Sequence, residues 1–279
     1  MLIHFFTLVV VFSCTQTLVA ATTTSPKNTE WHTDETGFSV PWLVSIGPTS
    51  QQTGGYSTMA ATHKCVGIVL HPMIVLTVAH CVQHAVKTPT LIGVGAMSTT
   101  QPNTHAAMAD ARRRVPVGQI LIHPNNNPSA PVYDVAILKT VAPVMPYNVP
   151  SARLLSRSIQ PNTIQPLYTM GWAGPVSSSS PSDLKAVPLM FQQNCKTYQY
   201  LVCTKSQRPG DALCHGDEGA PLIVNINGQP VVTGFAFTPD YIPTVNPPQN
   251  KCIGESTFIQ MAPIIQWIHS VVGNSLLLA

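Results

Sequence analysis

Cys214-His215-Gly216-Asp217-Glu218-Gly219-Ala220-Pro221-Leu222 packs two glycines, two acids and a proline between a cysteine and an apolar run. Gly and Pro at that density enforce a tight turn, because they supply the positive or fixed φ angles that a reversal needs. Successive backbone amides of such a turn converge on a point where an anion is held. No Ser or Thr lies between Cys214 and Leu222, so the turn offers carboxylates but no hydroxyl. Beyond it, Leu222–Ile226 and Val231–Phe237 read as two β-strands.

Further out, the same kind of run recurs at Val40–Ile46, Val66–Leu70, Ile74–Val78, Val117–Ile122 and Val135–Val141, each bounded by Pro, Gly, Asn or Ser. Many short β-rich runs and few helical stretches make the chain all-β, a sandwich or a pair of barrels. The exception is the C-terminus. There Ile264, Ile265, Ile268, Val271 and Val272 fall at helical spacing behind Pro263, which predicts a closing amphipathic helix.

With 279 residues, 44% hydrophobic and 9% charged, the chain buries one large core or two smaller ones without a metal or oligomer to help it fold. Its formal charge of +3 is not gathered into a block, which implies neither nucleic acid nor an anionic membrane as partner. The single basic run, Arg112 to Arg114, follows Gln, Asn, Thr and Ala and reads as a solvated loop rather than a heparin-like patch, with protease nicking at the loop as a third reading. Ser177–Ser180, between Pro175 and Pro181, reads as a mobile loop.

Residues 1–21 have the pattern of a signal peptide. An apolar stretch to Phe12, too short to span a bilayer, precedes the small residues Val19-Ala20-Ala21. The expected product is secreted and extracellular, with an N-terminal extension over 22–38. Without Cys14, the cysteines Cys65, Cys81, Cys195, Cys203, Cys214 and Cys252 form an even set, suited to disulfides in an oxidising compartment. A zinc site is the competing use, but the short Cys-Cys or Cys-His spacings of such sites are missing. No Asn-X-Ser/Thr sequon occurs.

Two more segments carry chemistry. Thr77-Val78-Ala79-His80-Cys81 ends a strand in a histidine, and Tyr133-Asp134-Val135-Ala136-Ile137-Leu138 places an acid at the mouth of an apolar strand, where a carboxylate is able to orient an imidazole. Taken in the order His, Asp, turn, these motifs resemble the chymotrypsin-like (trypsin-like, S1) serine proteases over roughly Ser39 to Val272. That family's third motif is Gly-Asp-Ser-Gly-Gly-Pro; the matching residues are Gly216-Asp217-Glu218-Gly219-Ala220-Pro221. The resemblance implies two packed six-stranded antiparallel β-barrels with a C-terminal α-helix, a protease-like domain over 39–272 and a tail over 273–279. It also implies the bridges Cys65–Cys81, Cys195–Cys203 and Cys214–Cys252.

It equally implies lost activity. Glu218 stands at the nucleophile position and has no hydroxyl for His80 to deprotonate, and a carboxylate is a weak nucleophile towards an amide. His80, Asp134 and Glu218 are then vestigial triad positions, and Glu218 is expected to lie across the oxyanion pocket formed by the amides of Gly216 and Glu218 itself. The family's cleaved N-terminus, a basic residue followed by Ile-Val-Gly-Gly, has no counterpart near Thr29–His32. Its specificity-pocket floor falls on Ala212, and its substrate-pairing Ser-Trp-Gly is replaced by Phe237-Thr238-Pro239, where Pro239 has no N–H to donate. In the family's zymogens the aspartate before the nucleophile is held by a serine and a histidine; here these match Ser45 and His63, which predicts a zymogen-like network of Ser45, His63 and Asp217.

The function that follows is a secreted, non-catalytic protease homologue that binds another extracellular protein: a protease, a protease inhibitor or a recognition protein. No cofactor, metal, nucleic acid or membrane is expected. Three alternatives stand beside it: a structural or storage component of a secreted matrix, a hydrolase with unconventional chemistry, and a metal site built from His80, Glu218 and His215.

Overall fold

The computed structural model describes residues 39–49, 63–96, 114–127, 129–159, 166–172, 184–192, 200–208, 213–243 and 250–279. Six strands rich in β-branched residues, β1 (Leu43–Pro48), β2 (Cys65–His71), β3 (Ile74–Thr77), β4 (Ile92–Ala96), β5 (Val115–Ile122) and β6 (Ala136–Thr140), close a barrel in the order β1-β2-β3-β6-β5-β4. Every pairing in it is antiparallel. Closure leaves no edge strand, and the inward residues Leu43, Ile46, Ile68, Leu76, Ile137 and Leu138 are fully buried.

The second barrel has the ring order β11-β8-β9-β10-β13-β12, closed by pairing of β11 with β12. Its strands are β8 (Leu167–Gly171), β9 (Lys185–Phe191), β10 (Leu201–Ser206), β11 (Pro221–Ile226), β12 (Gln229–Pro243) and β13 (Asn250–Gln260). Leu167, Met170, Phe235 and Phe258 fill it. Two six-stranded antiparallel barrels are therefore present, as the sequence implies. The α-helix that follows, α1 (Ile265–Val272), buries Ile265, Ile268 and Val272 along one stripe and stops where Gly273 takes φ 72.

The residues read as a tail do not hang free. After a 3-10 turn at Gly273–Ser275, β14 (Leu277–Leu278) lies parallel to β7 (Arg153–Leu154), which is parallel to β12, so the chain end extends the second sheet. The Ala279 N–H donates to the Leu154 carbonyl at 2.9 Å. Cys65–Cys81 and Cys214–Cys252 are disulfide-bonded, the first inside barrel one and the second clamping the Gly216 turn to β13. Such bridges belong to proteins folded in oxidising compartments. Cys203 is also disulfide-bonded, whereas Cys195 lies outside the described residues. So do residues 1–21, read as a signal peptide, the segment 22–38 with Thr29–His32, and Arg112, Arg113, Ser177–Ser180 and Ala212.

Candidate functional site

Each part of the site hangs from a strand end. β3 stops at Thr77, Val78 is extended, and a 3-10 turn over Ala79–Cys81 turns His80 outward while Ala79 stays buried. Another such turn, Pro131–Tyr133, delivers Asp134 just before β6. The strands β3 and β6 are paired with Thr77 opposite Ala136, so the two strand ends bring imidazole and carboxylate together from a sequence separation of 54.

The Asp134 carboxylate grips His80 twice. Oδ1 accepts the His80 backbone N–H at 2.8 Å and Oδ2 accepts from Nδ1 at 2.5 Å. Because the carboxylate only accepts, Nδ1 carries the proton and the far ring nitrogen is directed away from Asp134. Burial alone lowers the His80 pKa, but the Asp134 hydrogen bond and charge, followed by the Glu218 charge, outweigh it, and the net shift is upward. Phe237, on β12, meets the ring edge-on with centroids 6.1 Å apart.

The sign of the resulting linkage is fixed. A histidine whose folded pKa is raised adds stability that is fully present below the ordinary histidine range and is lost as pH rises through the folded pKa. Asp134→Asn, which removes the charge and most of the hydrogen bond, is expected to lower the His80 pKa, and to destabilise the protein more at mildly acidic than at alkaline pH. NMR titration of the His80 ring together with urea melts at both pH values checks it.

The turn itself is built on two glycines at positive φ, Gly216 (φ 101) and Gly219 (φ 90), which bracket Asp217 and Glu218. It is tied to both barrels. Val66 N–H of β2 donates to the Glu218 carbonyl at 2.8 Å, and Gly219 N–H donates to the Ala236 carbonyl of β12 at 2.8 Å. Asp217 is 1% exposed; its carboxylate accepts the amides of Trp172 at 2.8 Å and of Cys214 at 3.0 Å.

Glu218 is 9% exposed and folds back on its own turn. Oε2 accepts the Gly216 N–H at 2.7 Å, and Oε1 accepts His215 Nδ1 at 3.2 Å. The Gly216 amide, at the position where the resemblance locates half of an oxyanion pocket, is thus used by the chain's own carboxylate. Among the described residues no group of three or more His, Cys, Asp or Glu side chains is placed to hold a metal ion.

Behind the turn, Ser45 Oγ and His63 Nδ1 are 2.7 Å apart, and the His63 ring packs edge-on to Trp172 at 5.6 Å. One expectation needs correction here. Besides His63, the Ser45 hydroxyl serves Arg114, whose guanidinium donates to it from 2.9 Å. Arg114, read as part of a solvated loop, is 4% exposed and also donates to the Gly93 carbonyl at 3.2 Å. Burial pulls its pKa down to about 10, which leaves it charged at neutral pH. The signal available in the sequence was Gly93 and Gly95 at alternate positions of a strand, a face with no side chains that leaves room for a long one.

The Trypsin family matches residues 31–246. Among individual proteins, the chain is 23% identical to chymotrypsin-like elastase family member 1 of Canis lupus familiaris over 232 residues, covering 76% of this chain and 83% of that one. It is 24% identical to serine protease 28 of Mus musculus over 206 residues, covering 66% and 69% of the two chains. It is also 24% identical to the venom peptide isomerase heavy chain of Agelenopsis aperta over 216 residues, covering 70% and 82%. With the two barrels, the His80–Asp134 pair at their junction and the glycine-bracketed turn all in place, the chain belongs to the trypsin-like (S1) serine protease family.

Proposed function

We propose that this family member is catalytically silent and works as a secreted protein-binding module. One observation carries the reading: at the nucleophile position stands Glu218, whose carboxylate accepts the Gly216 N–H at 2.7 Å. Acyl transfer needs a hydroxyl beside the imidazole and an amide donor free for the developing oxyanion. Glu218 supplies no hydroxyl and occupies the donor.

A fold freed from catalysis keeps its loop-bearing cleft as a contact surface. The partner class is another extracellular protein, with an active protease or a protease inhibitor first. The test is affinity capture of the tagged protein from its native extracellular fluid with crosslinking, alongside a fluorophosphonate probe of the purified protein. The expected result is no labelling and selective enrichment of a protease or an inhibitor. Stoichiometric labelling would overturn the silent-site reading, and self-association without any selective partner would favour a matrix component.

A further inference from the structure

Arg114 raises a question that Glu218 does not answer. A guanidinium buried to 4% exposure ordinarily faces a carboxylate, because a desolvated charge left without a counter-charge is costly. Here its hydrogen bonds run to the Gly93 carbonyl at 3.2 Å, more distantly to the Ser45 carbonyl at 3.4 Å, and to Ser45 Oγ at 2.9 Å. The burial is built into the barrel: a Cβ on Gly93 would stand 2.8 Å from the Arg114 Cβ, so the stem of the side chain lies directly over that glycine.

The hydroxyl of Ser45 resolves the protons. Ser45 is fully buried and has one O–H and two lone pairs. Arg114 is an obligate donor, so one lone pair is taken. The O–H must then find an acceptor, and the other partner that the structure gives this oxygen is His63 Nδ1 at 2.7 Å. If Nδ1 carried a proton, Ser45 would accept twice and its own buried O–H would have nowhere to go, adding a second unsatisfied group to Nε2, which is buried and makes no hydrogen bond in either tautomer.

We infer that Arg114, Ser45 and His63 form a one-way hydrogen-bond relay that keeps His63 neutral with its proton on Nε2, and so sets the state of the ring on which the Gly216 turn rests. The Cδ2–Nε2 edge of that ring lies against Gly216: a Cβ there would come 3.1 Å from Cδ2 and 3.4 Å from Nε2. Among the described residues, the charged groups on the surrounding elements are Arg114 ahead of β5, Lys64 beside the histidine, and Asp217 and Glu218 on the turn. Asp217 favours an imidazolium, while its carboxylate also accepts the Trp172 and Cys214 amides. Arg114 opposes a second positive charge one serine away. Arg114 is therefore a positioning residue for the turn, and it acts independently of what stands at 218.

The test is NMR of the full chain with 15N-labelled histidine, correlating ring nitrogens with ring carbon-bound protons. In the unaltered protein, His63 is expected to stay in the neutral Nε2–H form from about pH 5.5 to about pH 8, the range in which an ordinary histidine titrates. Arg114→Met is expected to let it titrate in that range, and to speed hydrogen exchange of the Gly216 amide by about tenfold or more. Arg114→Lys, which keeps a donor cation, should retain most of the protected form. Should Arg114→Met fail to fold, Ser45→Ala reports the same loss, because it removes the O–H that occupies Nδ1. An imidazolium or an Nδ1–H form of His63 at neutral pH in the unaltered protein would overturn the relay, as would a titration unchanged by either Arg114→Met or Ser45→Ala.

Discussion

Gly219→Ala is expected to lower stability by about 2–5 kcal/mol, the sum of two separable costs. The first is conformational. Gly219 holds φ 90, and an L-residue forced to a positive φ outside a helix-like well loses about 1–2 kcal/mol. The second is steric, because a Cβ there overlaps the Val66 carbonyl oxygen and approaches Thr77 Oγ1 to 2.9 Å. Neither neighbour has room to yield: Thr77 Oγ1 donates to that carbonyl at 2.8 Å, and Val66 N–H is held by the Glu218 carbonyl. Over-packing against fixed backbone costs about 1–3 kcal/mol. Gly228, in the β11–β12 hairpin turn, is the internal control, with φ 79 and nothing within 4 Å of a built Cβ. Gly228→Ala should carry the conformational cost alone, about 1 kcal/mol. Urea melts of the two variants decide it; equal losses would mean that the turn is not wedged between the barrels as described.

That wedge explains what was legible in the sequence and what was not. The turn residues, the strand ending in His80 and the acid ahead of β6 are local signals, because each is a short stretch whose composition fixes its own conformation. Strands with strong alternation or continuous β-branched runs, such as Val66–Leu70 and Val135–Val141, fall within a residue or two of β2 and β6. β4 was missed since Ile92-Gly93-Val94-Gly95-Ala96 carries two glycines, and β13 since Asn250–Gln260 is mostly polar. Both exist because of their partners: β4 pairs with β1 and β5, and β13 holds the long β12.

Arg114 shows a different limit. Its neighbours in the chain are arginines, and charge patterning alone assigns such a run to solvent. Its actual environment is set by β1 and β4, from Ser45 and Gly93, which lie 69 and 21 positions away in sequence. Pairwise burial of that kind cannot be read from composition. Ser45 and His63, which the resemblance groups with Asp217, stand 2.7 Å apart.

Glu218→Ser is expected to leave peptide hydrolysis at background and fluorophosphonate labelling absent, although it puts a hydroxyl next to an intact His80–Asp134 pair. The exchange removes the carboxylate from the Gly216 amide, so one of the obstacles disappears. Others stay. Pro239 on β12 has no N–H with which to pair an extended substrate. Asp217 remains fixed by the Trp172 and Cys214 amides, and the Ser45–His63 pair still backs the turn from behind. Loss of a nucleophile alone costs an active protease about a millionfold in rate, yet restoring one recovers that factor only if the rest of the constellation is in productive geometry. The silent result is made interpretable by a positive readout in the same sample. Removing the Glu218 charge withdraws one of the influences that raise the His80 pKa, so that pKa should fall while the Asp134 contribution persists. A lowered His80 pKa with no labelling shows a folded variant whose exchanged side chain does reach the imidazole, and it locates the lost activity in the scaffold as well as in residue 218. Labelling by the probe, with turnover on peptides, would show instead that Glu218 was the sole block and that the rest of the site had been kept ready for catalysis.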